Sequence, residues 1–211
     1  MDSGEAILTG ERICPAEACG LVLFAYGSGS SHRSPRNRYV ASVLHEAGIA
    51  TRLFDLLAPH EDVGMSNRFN TALLAAWLLV ATRWVEDYAR QRGLRIGYFG
   101  ASTGVAAAIR AASDPQLLSP IDALVCRGGR VDLTGLEVLQ RLAAPTLMIV
   151  SADDVDVVKL NQLASGHMQC EWKIDLVPGA SHLFEDPAAL EDVAGRAALW
   201  FSQHLGTARQ K

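Results

Sequence analysis

Residues 94–104, LRIGYFGASTG, contain the pattern on which the fold assignment of this 211-residue chain rests. Residues 94–99 predict a buried strand, Gly100–Gly104 follows the pattern Gly-x-Ser-x-Gly, and an Ala-rich segment typical of a short helix comes next. A serine on a sharp strand-to-helix turn is a candidate nucleophile, because the turn lifts its hydroxyl to the top of the sheet. Side chains at Gly100 and Gly104 would clash with neighbouring backbone in so tight a turn, which explains why glycine occupies both positions.

Apolar strands alternate with amphipathic helices along the chain. Strands are predicted at 21–26, 49–57, 94–99, 121–126, 145–150 and 171–177. Helices are predicted at 35–47, 67–91, 103–112, 134–141, 157–165 and 186–205, with Thr134 and Glu137 at capping-box spacing. The first 20 residues are predicted to add one or two antiparallel edge strands. This alternation indicates an α/β fold with a mostly parallel sheet of about seven strands, flanked by helices on both faces.

Composition excludes several classes of protein. The length fits a single domain spanning 1–211, since domains hold roughly 100–200 residues. A net charge of −4 gives no basic footprint for nucleic acid. The longest apolar run, 72–81, falls short of the roughly 20 residues that span a bilayer, so we expect no membrane partner. The N-terminus has no signal-peptide pattern, and the cysteines have no C-x-x-C spacing, so a reduced, cytoplasmic setting is expected.

A base and an acid for the serine are expected on loops that follow later strands. His182 lies directly after the last predicted strand, in GASHLF (179–184). Asp153, Asp154 and Asp156 follow the strand at 145–150. The resulting order Ser…Asp…His is that of the α/β-hydrolase triad. The sequence pattern does not choose among the three aspartates, two of which could instead cap the helix that begins near residue 157.

Four segments together resemble the dienelactone-hydrolase-like group of α/β-hydrolases. They are LVLFAYGSGSS (21–31), GYFGASTG (97–104), PTLMIVSADD (145–154) and VPGASHLF (177–184), and the similarity covers nearly the whole chain. The resemblance implies an α/β-hydrolase fold, with Asp154 as the triad acid and Asp153 as the second choice. It also implies that Ser102 replaces the elbow cysteine of dienelactone hydrolases proper. The segment after the strand at 121–126 is too short for a large cap domain, which predicts an open site.

Further residues are expected to contact the substrate. The backbone N–H of Thr103, the residue after the nucleophile, is one expected oxyanion-hole donor, and the resemblance implies Ser28 N–H as the other. Tyr26 and Gly27 begin the same loop and are expected to border the substrate. An arginine such as Arg127, at the start of the segment RGGR (127–130), could bind a substrate carboxylate or phosphate, although contacts to backbone carbonyls or aspartates are the simpler explanation.

The expected activity is acyl transfer from a small ester, lactone or thioester to water, through an acyl-enzyme on Ser102. This chemistry requires neither a metal nor another cofactor. The expected partner is a small ester-like molecule, and a homodimer is possible. Three alternatives exist: a non-catalytic binding protein on the same scaffold, an acyltransferase, and a dinucleotide-binding domain. The last would use Gly27–Gly29 and Asp55, but His32 occupies the position of its third glycine.

Overall fold

The computed structural model describes residues 10–27, 30–58, 60–62 and 64–206. The strands of this part are β1 (Gly10–Ile13), β2 (Gly20–Ala25), β3 (Ile49–Phe54), β4 (Arg95–Ala101), β5 (Ala123–Arg127), β6 (Thr146–Ser151) and β7 (Trp172–Val177). Its helices are α1 (Pro35–Glu46), α2 (Met65–Arg68), α3 (Thr71–Gln91), α4 (Thr103–Ala112), α5 (Leu136–Arg141), α6 (Val155–Ser165) and α7 (Pro187–Leu205). A 3₁₀ helix, Val131–Thr134, precedes α5.

The strands form one sheet in the order β1-β3-β2-β4-β5-β6-β7. β1 pairs with β3 in the antiparallel sense, and every other neighbouring pair is parallel. This sheet confirms the predicted α/β-hydrolase fold, including an antiparallel edge strand from the first 20 residues. β4 lies in the middle, between β2 and β5, so the turn that follows it opens at the centre of the carboxyl edge. Ligands bind at that edge in open α/β sheets.

Alternate residues of each strand enter two separate apolar cores, because side chains along a strand point to opposite faces. One core includes Leu23, Tyr98 and Leu124, and α3, α4 and α6 cover it. The other includes Phe24, Phe99, Val125 and the inner faces of α1 and α7. The central strands are therefore buried on both sides, which explains their nearly continuous apolar sequences.

Several element boundaries differ from the predictions by a few residues; β3, for example, ends at Phe54 and not at residue 57. β4 continues through Ala101, so the chain turns two residues later than predicted. The helix predicted at 67–91 is divided into α2 and α3, because the Asn70 side chain accepts a hydrogen bond from the Leu73 N–H and caps a new helix. The capping box predicted at Thr134 and Glu137 does not form, since the Thr134 hydroxyl instead donates to the Val131 carbonyl at 2.7 Å.

In the described part of the chain, the carboxyl edge carries no large cap domain. The connection between β5 and β6, where a cap would be inserted, contains only the 3₁₀ helix and α5. The prediction that this connection is too short for a large cap domain is therefore confirmed. Separately, none of the helices in the described ranges is both long enough and apolar enough to cross a membrane.

A matched pair of glycine substitutions tests the close approach of α4 to β2. A β carbon at Gly104 would lie 2.1 Å from the Ala25 carbonyl oxygen, so Gly104→Ala must displace backbone. We expect a loss of about 2–3 kcal/mol in the free energy of unfolding. Gly195→Ala in α7 meets no atom within 4 Å and should raise that free energy by about 0.5–1 kcal/mol. Urea denaturation measures both, and equal effects would contradict the packing described.

Candidate active site

Ser102 occupies the turn between β4 and α4 in a strained conformation. Its φ is 54° and its ψ is −126°, a region that non-glycine residues rarely adopt. Its N–H donates to the Arg127 carbonyl at 3.1 Å, and its carbonyl accepts from the Val105 N–H at 3.0 Å. These two bonds hold the backbone between β5 and the first turn of α4. The side chain of Ser102 is exposed at the carboxyl edge, as a nucleophile elbow requires.

Two glycines allow the elbow to approach its neighbours. Gly104 lets the first turn of α4 contact the backbone at Ala25, as described above. Gly27 faces the elbow from the loop after β2, where a β carbon would lie 2.8 Å from both Ser102 Cβ and Thr103 Oγ1. The predicted role of Gly27 near the substrate therefore rests on its missing side chain, which leaves room beside the serine.

His182 and Asp154 form a hydrogen-bonded pair on the loops after β7 and β6. The distance from His182 Nδ1 to Asp154 Oδ2 is 2.6 Å. A carboxylate only accepts, so Nδ1 donates and Nε2 remains for another partner. The carboxylates of Asp153 and Asp156 make no hydrogen bond or ion pair within the described part of the chain. The geometry thus distinguishes Asp154 from the two aspartates that the sequence left as alternatives.

Ser151 joins the two loops that carry this pair. Its buried hydroxyl donates to the Ala180 carbonyl and accepts from the Asp153 N–H at 3.2 Å. The loop after β6 is therefore tied to the loop after β7, on either side of the His182–Asp154 contact. The role of Ser151 is not predicted from the sequence, because a serine at the end of a strand belongs to no recognisable motif.

Gly128 and Gly129 bring the serine and histidine segments side by side. A β carbon at Gly128 would lie 3.0 Å from the His182 carbonyl oxygen, and one at Gly129 would lie 2.8 Å from the Ser102 carbonyl oxygen. No hydrogen bond joins Ser102 Oγ to the imidazole among the bonds of the described residues. Catalytic hydrogen bonds are often long before substrate binds, so this arrangement is compatible with a serine–histidine relay.

The residues predicted to form the oxyanion hole or to contact the substrate lie in different environments. Ser28 lies outside the described residues, so its predicted role stays a prediction. Thr103 is the first residue of α4, directly after the serine. Tyr26 is 4% exposed and packs in the α1–α7 core, so its ring faces away from solvent. Burial, together with the nearby charge of Asp55, raises the pKa of Tyr26 well above its ordinary value.

Arg127, at the end of β5, and Arg130, in the loop after it, have opposite surroundings. Arg130 pairs with Asp132 at 2.6 Å, as the structural alternative for this loop suggested. Arg127 is 9% exposed, and its buried Nη1 has no hydrogen-bond partner within the described ranges. Its guanidinium carbon lies 5.9 Å from the centre of the Phe99 ring. Burial, with a smaller contribution from Arg36, lowers the pKa of Arg127 to about 10, so it remains charged at neutral pH.

Two polar side chains, those of Asn161 and Asp55, hold the loops around the site by hydrogen bonds that the sequence does not predict. Asn161, buried in α6, donates to the Gly129 carbonyl at 3.0 Å and accepts from the Val131 N–H at 3.1 Å. Asp55 accepts from both the backbone N–H and the ring of His32, at 2.8 and 2.9 Å. That carboxylate is already engaged, which disfavours the dinucleotide alternative, where it would bind a ribose. No cluster of three metal-ligating side chains occurs among residues 10–27, 30–58, 60–62 and 64–206.

Comparison with known proteins identifies the family. The crystal structure of a dienelactone hydrolase from Anabaena variabilis is 45% identical in sequence and covers 96% of this chain and 94% of its own, with a TM-score of 0.89. The chain belongs to the dienelactone hydrolase family. Est1E from Butyrivibrio proteoclasticus, at 16% identity and a TM-score of 0.75, shares the fold. No protein-family model matches the chain.

Curated relatives of this family member are longer than the chain. A putative phosphoribosyl transferase of Mycobacterium tuberculosis strain H37Rv is 47% identical over 203 residues, which are 96% of this chain and 45% of that protein. A protein of the same description from strain CDC 1551 matches to the same extent. The chain therefore spans about half the length of the curated relatives that it matches.

No described cysteine provides a thiol at the elbow of this dienelactone hydrolase family member. Cys14, Cys19, Cys126 and Cys170 lie at other positions in the fold. Cys126 pairs with Gly100 of the elbow in the sheet register but is buried in β5, and burial raises the pKa of its thiol. A buried neutral thiol is a poor nucleophile. The elbow side chain is the hydroxyl of Ser102.

The tautomer of His182 tests the pair with Asp154 directly. In the neutral ring we expect the proton on Nδ1, because the Asp154 carboxylate accepts it at 2.6 Å. Asp154→Asn should shift the balance toward the Nε2-protonated form, whereas Asp153→Asn should leave it unchanged. Long-range ¹H–¹⁵N NMR spectra at pH 9 distinguish the two forms. A shift in Asp153→Asn, with none in Asp154→Asn, would reverse the assignment.

Proposed function

We propose that this protein is a serine hydrolase that cleaves a small ester, lactone or thioester through an acyl-enzyme. The observation that carries the proposal is the His182–Asp154 hydrogen bond, located beside a serine in a positive-φ elbow. A serine hydroxyl is a weak nucleophile unless an oriented base accepts its proton. His182 is such a candidate base, because its Nδ1 donates to Asp154 and its Nε2 is left to accept a proton. Membership of the dienelactone hydrolase family supports hydrolysis as the reaction class.

In the proposed mechanism, Ser102 Oγ attacks the substrate carbonyl while His182 Nε2 accepts its proton. Asp154 holds the ring and stabilises its protonated form. The oxyanion accepts a hydrogen bond from the Thr103 N–H, at the amino end of α4, where the helix dipole also favours negative charge. Ser28 N–H is proposed as the second donor. The tetrahedral intermediate then collapses, and His182 gives its proton to the leaving group.

Deacylation repeats the same steps with water. His182 takes a proton from water, the resulting hydroxide attacks the acyl carbonyl, and the proton then passes to Ser102 Oγ as the acid is released. Because no large cap covers the carboxyl edge, we propose that the site accepts small or exposed ester groups. Transfer of the acyl group to an alcohol or amine would use the same intermediate and is distinguished by product analysis.

Two other functions remain as alternatives. A binding protein on the same scaffold would retain the fold but would not form an adduct at Ser102. Phosphoribosyl transfer is the activity in the name of the Mycobacterium tuberculosis relatives. That name describes proteins about twice the length of this chain. No contact of the described residues favours it over hydrolysis.

Labelling with a fluorophosphonate tests the nucleophile. We expect wild type to gain the mass of one adduct and to turn over p-nitrophenyl acetate, because His182 activates the serine. Ser102→Ala should lose both, while Cys126→Ala serves as a control that keeps both. Intact-mass spectrometry and nitrophenolate release give the two results. A folded wild type with no adduct would refute the proposal in favour of a non-catalytic protein.

A pair of isosteric aspartate variants tests the role of the acid in turnover. Asp154→Asn should lower kcat by about 10³- to 10⁴-fold, because the amide favours the wrong tautomer of His182. Asp153→Asn should change kcat by less than about threefold, as expected for a surface carboxylate without a partner. Steady-state kinetics with p-nitrophenyl acetate measure both. Similar losses in the two variants would show that the loop charge, not the hydrogen bond, matters.

A further inference from the structure

Arg127 carries a buried positive charge that pairs with no acid of the described residues. It forms no ion pair or side-chain hydrogen bond with the described residues, although its side chain is almost entirely enclosed. Two acids of neighbouring loops contact other arginines: Asp132 pairs with Arg130, and Glu185 lies 3.7 Å from Arg36. Placing a charged group in the interior costs free energy unless it is paired and hydrogen-bonded. Within the part of the chain that the structure describes, the hydrogen-bonding capacity of this guanidinium is therefore unused.

Arg127 is the last residue of the strand beside the elbow. Its α carbon is in register with that of Ala101, and its carbonyl accepts the N–H of Ser102. Its side chain points to the α1–α7 face, the same face as Val125 and Phe99. Ala101 is small, so β4 presents little side chain next to the guanidinium. Arg127 therefore pairs across the sheet with the residue that precedes Ser102, and its guanidinium lies on the α1–α7 side of the sheet.

A second positive group lies nearby at the start of α1. Arg36, in the first turn of this helix, is close enough for its charge to act on Arg127. The same turn contains no acidic residue, and the Ser34 side chain makes no capping hydrogen bond. The amino end of a helix carries partial positive charge, which favours anions. The positive charges of Arg127 and Arg36 are therefore close enough to interact, and Arg36 also donates to the Leu183 carbonyl at 3.4 Å and lies 3.7 Å from Glu185.

We propose that Arg127, together with Arg36 and the amino end of α1, binds a phosphate group carried by the substrate. This inference rests on the proposed function, since it places an anionic group next to the ester that Ser102 attacks. Phosphate suits the region better than carboxylate because a phosphate monoester dianion balances the charge of Arg127 and can also compete with Glu185 for Arg36, whose exposed pair at 3.7 Å is weak. Its tetrahedral oxygens also accept several charge-assisted hydrogen bonds from an arginine fork. The substrate class is an ester whose alcohol or acyl part is phosphorylated.

Substrate selectivity tests the inference in wild type. Three acetate esters isolate the charge: 2-(phosphonooxy)ethyl acetate, 3-acetoxypropanoate and neutral 2-hydroxyethyl acetate. We expect kcat/KM, measured by acetate release, to be at least 10-fold higher for the phosphate ester than for the neutral one. The carboxylate ester should lie between them. Equal values for the three esters, or a preference for the carboxylate, would overturn the proposal.

Variants assign the selectivity to Arg127. In Arg127→Met the phosphate-to-neutral ratio of kcat/KM should fall about 10- to 100-fold, the loss expected for a charged hydrogen-bonding group. Arg127→Lys should retain part of the ratio, because it keeps the charge but not the fork. Arg130→Gln, at a neighbouring arginine already paired with Asp132, should keep the wild-type ratio. An unchanged ratio in Arg127→Met would overturn the assignment.

A binding measurement separates this inference from the proposed function. Isothermal titration of phenyl phosphate into wild type and Arg127→Lys needs no turnover, and we expect the affinity to drop at least 10-fold in the variant. Phosphate binding without a fluorophosphonate adduct would support the site and refute hydrolysis. An adduct without phosphate binding or selectivity would support hydrolysis and refute the site. Circular dichroism shows whether each variant is folded. If Arg127→Met does not fold, the selectivity and phosphate affinity of wild type and Arg127→Lys test the proposal.

Discussion

The backbone contact between the first turn of α4 and the end of β2 is the constraint on which the site depends. At Gly104 the helix lies so close to the Ala25 carbonyl that a methyl group would overlap it. This approach forces the chain to reverse within one residue, and Ser102 takes a positive φ as a result. Strain of this kind, of order 1–3 kcal/mol, persists only where the surroundings over-determine it. Here they do so through Gly27 on one side and the Arg127 carbonyl on the other.

The remaining parts of the site are positioned by the register of the parallel sheet. β6 and β7 pair from Thr146 with Trp172 to Ser151 with Val177, so their loops leave the edge together. Ser151 then joins those loops, and the carboxylate of Asp154 reaches His182. The proposed nucleophile, acid and base thus lie directly after three strands of one sheet. A catalytic arrangement on such a layer varies little in geometry, because the strands cannot move independently.

Sequence reasoning predicted the parts of the site that follow from local pattern. The strand–Gly-x-Ser-x-Gly–helix order identified the elbow, and the position of His182 after the last strand identified the candidate base. Choosing Asp154 from its neighbours required the resemblance or the fold, because three aspartates in four positions have the same local chemistry. Ser151 and Asn161 were missed, since a polar residue that bonds a distant backbone leaves no periodic trace. The sequence also does not predict that Arg127 lacks a hydrogen-bond partner among the described residues, because this depends on the folded positions of the acidic side chains.

A crystal structure of the protein after reaction with a phosphonate ester tests the central claim most directly. The account predicts that phosphorus is bonded to Ser102 Oγ and that the φ of this residue stays positive. The phosphonyl oxygen should lie within hydrogen-bond distance of the Thr103 N–H, with His182 Nε2 turned toward Oγ and Nδ1 still on Asp154. A phosphonate attached to another residue would contradict the account. So would a His182 ring that has left Asp154 or points away from the serine.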